Sequence, residues 1–470
     1  MVKPAKRVIL LCALLFPVAA LQGQDAPTKE LLDWHRLPDL PDPIGVGGPC
    51  AGISNGALIV AGGAHFRDPF LQGGEKVWTD SIYVLTSSFS EWISGFTLTR
   101  PTGYTVAAQW EDEVICAGGG DARKHFKEVI ALHWDGDSVS QRSFPALPQP
   151  RAFASGAVVE TTLYVAGGLE TPDDTVASRN FWALNLADPG AQWQILEPAP
   201  GAPRHSAVSG ASDGAFYLFS GTALEPDTAG AIAYEFLTDA YRYHPSHGWE
   251  RLRDLPYPAA AAPSPAIAVG PSHFLVLGGN TGVDVARVQE LGDQHPGFSR
   301  DVLAYHVITD TWAHLGTLPM GQVTVPTVQQ GGRVIIPSGE IRPGVRTAAV
   351  WQATPSNAVP PLSALLPSAP DNDSLRVFGA AFQRSCATLR QPLIRAPPTR
   401  THGSSDLSSC TCPIRSHRLQ PLPGHPADGL AEHLLYSIGR HGSRDLVRCD
   451  ASNCALGRGV IKSDNPGIEH

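Results

Sequence analysis

The sequence predicts an all-β protein, a six-bladed β-propeller, on three observations. A β-rich apolar run closed by Gly-Gly or Ser-Gly recurs six times. In most units an aromatic strand and a tryptophan strand follow it. The sixth unit lacks an outer strand, and the start of the chain carries one to spare.

The six runs are ALIVAGGAHF, EVICAGGGDA, TLYVAGGLET, AFYLFSGTAL, HFLVLGGNTG and RVIIPSGEIR. Their second glycines are Gly63, Gly119, Gly168, Gly221, Gly279 and Gly339, spaced 49 to 60 residues apart. Gly-Gly supplies the tight, φ-permissive exit from a strand. A short strand such as AFASGAVV precedes each run, and segments such as YRYHPSHGW and VLAYHVITDTW follow. Several units end in Leu-Pro, at Leu147-Pro148, Leu255-Pro256 and Leu318-Pro319. Four strands in about 50 residues is the spacing of a propeller blade, here similar to the Kelch repeat. The sixth unit has strands near residues 323–328, 333–338 and 348–351 but no Trp-x-x-Leu-Pro strand. The segment DWHRLPDLP, with Trp34, Leu37 and Pro38, is expected to complete that blade over residues 34–40. Closure removes the open sheet edges and bounds the propeller at 31–353.

The stretch VIIPSGEIRPGVRT raises the question of function. The position after each second glycine holds Ala64, Gly120, Leu169, Thr222, Asn280 and Glu340. Five of the six are uncharged, so the fold does not require an acid there. In a propeller these loops gather at one mouth of the central channel. Glu340 is therefore expected to face a shared pocket, with Asn280 on the neighbouring blade. An acid held only in an interblade salt bridge is the competing reading. The acid's presence in one blade of six favours a functional group.

Outside the propeller the chain changes character. Lys3, Lys6 and Arg7 precede an apolar stretch from Val8 to Leu21, the pattern of an export signal over 1–23. Its removal takes the formal charge from −9 to −12. Such an acidic surface argues against nucleic acid. Residues 354–470 are rich in Pro, Ser and Arg, show no Gly-Gly pattern, and are expected to be a low-order or unrelated tail. That tail has no long apolar run and no recognised metal-ligand spacing. After the signal only Cys50 and Cys116 lie in the first 350 residues, both in strand-like apolar settings. They are expected to pack as small hydrophobes rather than as a disulfide scaffold.

Three segments carry a resemblance: GEIRPGVRT (339–347), DPIGVGGPCAGISNGALIVAGGA (42–64) and the Tyr104 region before EVICAGGG. They resemble the bacterial sialic acid mutarotases, or N-acetylneuraminate epimerases, which are periplasmic six-bladed propellers. The Gly-Glu segment follows the Ala-Gly-Ile-Ser segment here, as in the cyclically permuted mutarotase family. A closed ring tolerates permutation because it has no unique first blade. The resemblance implies an exported, cofactor-free isomerase acting on a small sugar acid. It maps the proposed proton acceptor to Glu340 and the motif arginine to Arg346. An arginine can hold a carboxylate bidentately. Further candidates sit just before or near first strands: Arg100, Arg151, Arg204, Tyr104, Asn180 and His205. Of these, Tyr104, Arg151 and Arg204 join Asn280 and Arg346 as expected substrate contacts. Two rival functions remain, a non-catalytic propeller that binds a glycan or protein, and a copper radical oxidase, for which no metal spacing is found.

Overall fold

The computed structural model describes residues 32–226 and 231–355. The export-signal segment and the 354–470 tail, its first two residues apart, lie outside the described residues.

Six four-stranded antiparallel sheets form the blades. Blades 1 to 5 occupy residues 50–97, 106–144, 155–195, 208–252 and 267–317. Blade 6 combines Val328–Gln330, Arg333–Pro337 and Val350–Pro355 with Leu32–Leu37. The closing strand pairs antiparallel to Val350–Pro355, with Trp34 opposite Ala353 and Leu37 opposite Val350. Closure thus comes from the N-terminal segment, two residues earlier than the sequence suggested. The strand stops at Leu37, before Pro38, which has no N–H to give. Instead, the Pro38 carbonyl accepts the indole N–H of Trp92 from blade 1 at 3.0 Å. The same contact recurs between other blades: Trp193 donates to Pro145, Trp249 to Glu197 and Trp312 to Arg253. In these four blades the tryptophan therefore staples the outer part of the blade to the one before it.

The Gly-Gly and Ser-Gly pairs place two successive residues at positive φ, for example 68° and 87° at Gly118 and Gly119. Interblade packing supplies the core, as where Tyr217, Phe219, Phe274 and Tyr305 of blades 4 and 5 meet. Cys50 and Cys116 are joined in a disulfide with Cα atoms 5.8 Å apart. This corrects the expectation that they pack as separate thiols. Blade-on-blade stacking lays the first strand of blade 1 against the second strand of blade 2, a proximity that 66 residues of sequence conceal.

First strands surround the channel, which small residues such as Ala51, Ala107, Ala157, Ala211 and Ala266 line toward one end. Toward the other end the channel narrows at a ring of six residues: Gly48, Tyr104, Phe153, Ser206, Ala261 and Thr324. All six have φ between 51° and 67°. Each N–H donates to the carbonyl of the ring residue before it, and Gly48 donates to Thr324, at 2.6 to 3.1 Å. Left-handed backbone costs about 1 kcal/mol or more at a non-glycine residue. The closed circle of hydrogen bonds holds five such residues in place.

Candidate functional site

The ring is the floor of a cavity at one mouth of the channel. Each residue preceding a ring position bridges to the residue after a second glycine: Gly47 to Ala64, Gly103 to Gly120, Ala152 to Leu169, His205 to Thr222, Ala260 to Asn280 and Val323 to Glu340. The positions aligned in the sequence are therefore equivalent in space. Longer second-to-third strand connections of blades 1, 4, 5 and 6 wall the cavity. Blade 1 contributes the hairpin Ala64–Phe66 with Lys76–Trp78, and blade 4 the hairpin Thr222–Pro226 with Ile232–Phe236. Blade 5 contributes residues 281–298, which include the short helix Val288–Leu291. Blade 6 contributes the hairpin Glu340–Arg342 with Val345–Arg346.

That last hairpin gives the Gly-Glu-x-x-x-Gly-x-Arg spacing its physical meaning. Glu340 lies opposite Arg346 in register, and Glu340 Oε2 is 2.7 Å from Arg346 Nη1. Glu340 Oε1 accepts the Gly344 N–H at 2.7 Å. Gly344 has φ +76°, and a Cβ there would lie 2.3 Å from Phe70. Both the turn and the packing thus demand glycine at that position. Arg346 is buried. Its Nε donates to the Ala64 carbonyl at 3.1 Å, Nη2 lies 3.4 Å from the Tyr104 hydroxyl, and the guanidinium stands over Phe66 at 5.5 Å. Burial alone would lower its pKa, but Glu340 and Tyr104 outweigh burial and raise it. The guanidinium fork, expected to be open for a ligand carboxylate, is thus occupied by the protein.

The second resemblance segment makes room for this arrangement. A Cβ on Gly47 would lie 2.6 Å from Arg346 Nε, and one on Gly48 would lie 2.5 Å from the Tyr104 ring. The three segments that carry the resemblance converge on one corner of the cavity.

Glu340, Arg346, Asn280 and Tyr104 all line the cavity. Arg151 and Arg204, expected there, do not. Arg204 forms a two-pronged ion pair with Asp239 at 2.5 and 2.7 Å. Arg151 stacks on Trp182 at 4.8 Å. Arg100 pairs with Glu128 at 2.5 Å and covers Phe126. Each arginine is tied to the start or body of the third strand of its own blade, so all three brace the blades. Asn180 bonds Gln149 at 2.7 Å in the same kind of network.

Sequence reasoning missed Lys76 and Tyr234, and weighed His205 without placing it among the contacts. Lys76 lines the cavity with Nζ 4.4 Å from the centre of the Tyr104 ring. Burial, with Arg346 adding to it, lowers its pKa against the opposing pull of Tyr104 and Glu340. His205 is 8% exposed. Burial pushes its pKa down to about 4. Its Nδ1 is 3.0 Å from Ser206 Oγ. Besides His205, the bases and carboxyl groups in the wall are Lys76, Arg346 and Glu340, two basic side chains and one acid. No sequence signal marks Lys76, because it sits on a hairpin outside the repeated strands.

The fold and site define a six-bladed propeller with a cavity at one mouth of its channel, largely apolar and carrying Lys76, Arg346 and Glu340 in its wall. Residues 144–284 match the family described as N-acetylneuraminate epimerase. An N-acetylneuraminate epimerase of Haemophilus influenzae (strain PittEE) is 30% identical over 237 residues, 46% of this chain and 60% of the relative. One of Yersinia enterocolitica is 29% identical over 232 residues, 44% of this chain and 57% of the relative. A solved structure titled "Structure of YjhT" aligns with TM-score 0.47 and 12% identity, over 60% of this chain and 99% of that one. The chain spans about three fifths of the length of the curated relatives it matches. Over these stretches the chain is similar to N-acetylneuraminate epimerases.

Proposed function

We propose that the protein is an exported sugar mutarotase that interconverts the α and β anomers of N-acetylneuraminate. The observation that carries the reading is Glu340, oriented by Arg346 and the Gly344 N–H in the wall of a cavity that also holds two basic side chains, Arg346 and Lys76. Such a lining in an acidic chain suits a sugar that bears a carboxylate. The relatives named for this reaction support the same reading.

In this mechanism the Glu340 carboxylate takes the proton of the anomeric hydroxyl. The electrons of that O–H bond form the carbonyl as the bond from the anomeric carbon to the ring oxygen breaks. The ring oxygen takes the electron pair and a proton from water, giving the open keto form. After rotation about the adjacent C–C bond, that hydroxyl oxygen bonds the other face of the carbonyl and its proton returns to solvent, while the carbonyl oxygen takes back the proton held by Glu340 and becomes the new anomeric hydroxyl. One placed base contributes ~10²–10⁴-fold, or about 2.7–5.4 kcal/mol of barrier. Arg346 orients Glu340, and with Lys76 it offsets the ligand's charge. The Cys50–Cys116 disulfide agrees with export, since such bonds persist in oxidising compartments. The order of the motif segments supports cyclic permutation. A permuted chain aligns collinearly with only part of an unpermuted relative.

The test is proton NMR of freshly dissolved α-N-acetylneuraminate with and without the protein, beside a neutral aldose. Acceleration of the sugar acid is the expected result. Equal rates with and without protein would leave a binding propeller as the better description.

A further inference from the structure

The charged corner at blades 6, 1 and 2 leaves the opposite wall of the cavity unexplained. That wall belongs to blade 4. His205 precedes ring residue Ser206, and its backbone exchanges hydrogen bonds with Thr222 at 2.9 and 3.0 Å. Thr222 begins the hairpin whose returning strand carries Tyr234, opposite Leu224. Both His205 and Tyr234 line the cavity. His205 Nε2 and the Tyr234 hydroxyl are buried and have no hydrogen-bond partner among the described residues. Buried polar groups are nearly always bonded, so each orphan calls for an explanation. Two on one blade, in one cavity wall, have a common one.

We propose that His205 and Tyr234 form a subsite for an uncharged, hydrogen-bonding arm of the sugar acid, a hydroxyl-bearing or amide-bearing substituent. This rests on the reading of the cavity as a sugar-acid site. The bound sugar spans the mouth, its carboxylate and anomeric centre toward Glu340, Arg346 and Lys76 and its neutral arm toward blade 4. Burial keeps both groups uncharged near neutral pH, with the imidazole at about 4 and the phenol pushed up to about 12. A neutral imidazole and a phenol each offer donor and acceptor capacity, which suits hydroxyl and amide groups. Neither offers compensation for a second buried charge.

The experiment compares wild type, Tyr234→Phe and His205→Phe as full chains, by NMR anomer-exchange kinetics on N-acetylneuraminate and by thermal melting. Each variant is expected to raise KM about tenfold, the effect of one lost hydrogen bond to ligand, with kcat within about twofold. The melting temperature of Tyr234→Phe should hold or rise, because that variant removes only an orphaned polar atom, whereas His205→Phe also gives up the Nδ1 contact to Ser206. Tyr234→Phe deletes a single oxygen, so it tests the subsite even if His205→Phe folds poorly. Unchanged KM, or a clear fall in melting temperature of Tyr234→Phe, would overturn the subsite while leaving the mutarotase reading intact. A wild type that does not accelerate exchange overturns both.

Discussion

Replacing Gly47 by alanine adds one methyl group at the point where the motif segments meet. That Cβ would stand 2.6 Å from Arg346 Nε, 3.1 Å from Cζ and 3.2 Å from Cδ. Ordinary carbon contacts begin near ~3.5 Å. Gly47 has little freedom to retreat, since its N–H and C=O are both bonded to Ala64 at 2.8 and 2.9 Å. Arg346 must move instead, and it is buried with Nε held by the Ala64 carbonyl. Overpacking of this kind costs about 1–3 kcal/mol. The melting temperature should fall by several degrees at ~2–4 °C per kcal/mol. Movement of the guanidinium also frees Glu340 from its orienting partner, so kcat for anomer exchange should drop about 10–100-fold, or ~1.4–2.7 kcal/mol. Gly190→Ala is the control, because its Cβ meets nothing nearer than Asp188 Oδ1 at 3.4 Å. NMR exchange kinetics and calorimetry on both variants would decide the matter. A Gly47→Ala protein with wild-type kcat and wild-type melting temperature would refute this account of the motif glycine.

Three further outcomes are expected. Replacing both Cys50 and Cys116 by alanine opens a 66-residue loop. The chain-entropy relation assigns that closure about 4 kcal/mol, readable as a lower denaturant midpoint, and equal midpoints would contradict it. Acid should destabilise the fold in two stages. His205 titrates near ~6.5 unfolded but at about 4 folded. The unfolded state therefore binds more protons between those values, and stability falls as pH drops through that window by up to ~3 kcal/mol. Burial lowers His125, His273 and His295 as well, and each acts in the same direction. Asp239, whose carboxyl the Arg204 pair lowers against the effect of burial, gives up its contribution only at lower pH. Melting curves of wild type and His205→Phe from pH 7 to 4 should show a shallower decline in the variant. Finally, Arg204→Ala leaves the partly buried Asp239 with the Tyr241 hydroxyl but without its cation and should cost about 2–3 kcal/mol in denaturant unfolding, below the ~3–5 of a fully buried pair. A loss below ~1 kcal/mol would mean that the pair does not brace blade 4.

Much of this architecture was legible because the blade is a repeated physical unit. The glycine pairs mark positive-φ exits that recur six times, and a tryptophan strand without a partner pointed to ring closure. Comparing equivalent positions across blades singled out Glu340, since only one blade departs from the pattern. Interblade relations were not legible. The disulfide joins residues 66 apart. Arg151 and Arg204 find Trp182 on a third strand and Asp239 just before one, 30 to 35 residues downstream, so an arginine before a first strand looked available when it was not. Lys76 and Tyr234 sit on hairpins outside the repeat, where there is no equivalent position to compare. The occupied fork of Arg346 follows from the hairpin register, which the Pro343-Gly344 turn sets and which spacing alone does not reveal.

The measurement that tests the central claim most directly is anomer exchange of N-acetylneuraminate in wild type and Glu340→Gln, each verified as folded by its melting temperature. The substitution keeps the side chain's shape and its capacity to accept the Gly344 N–H, and it removes the base. The account predicts that wild type accelerates exchange and that Glu340→Gln loses about 10²–10⁴-fold. A folded Glu340→Gln protein that exchanges anomers as fast as wild type would contradict it.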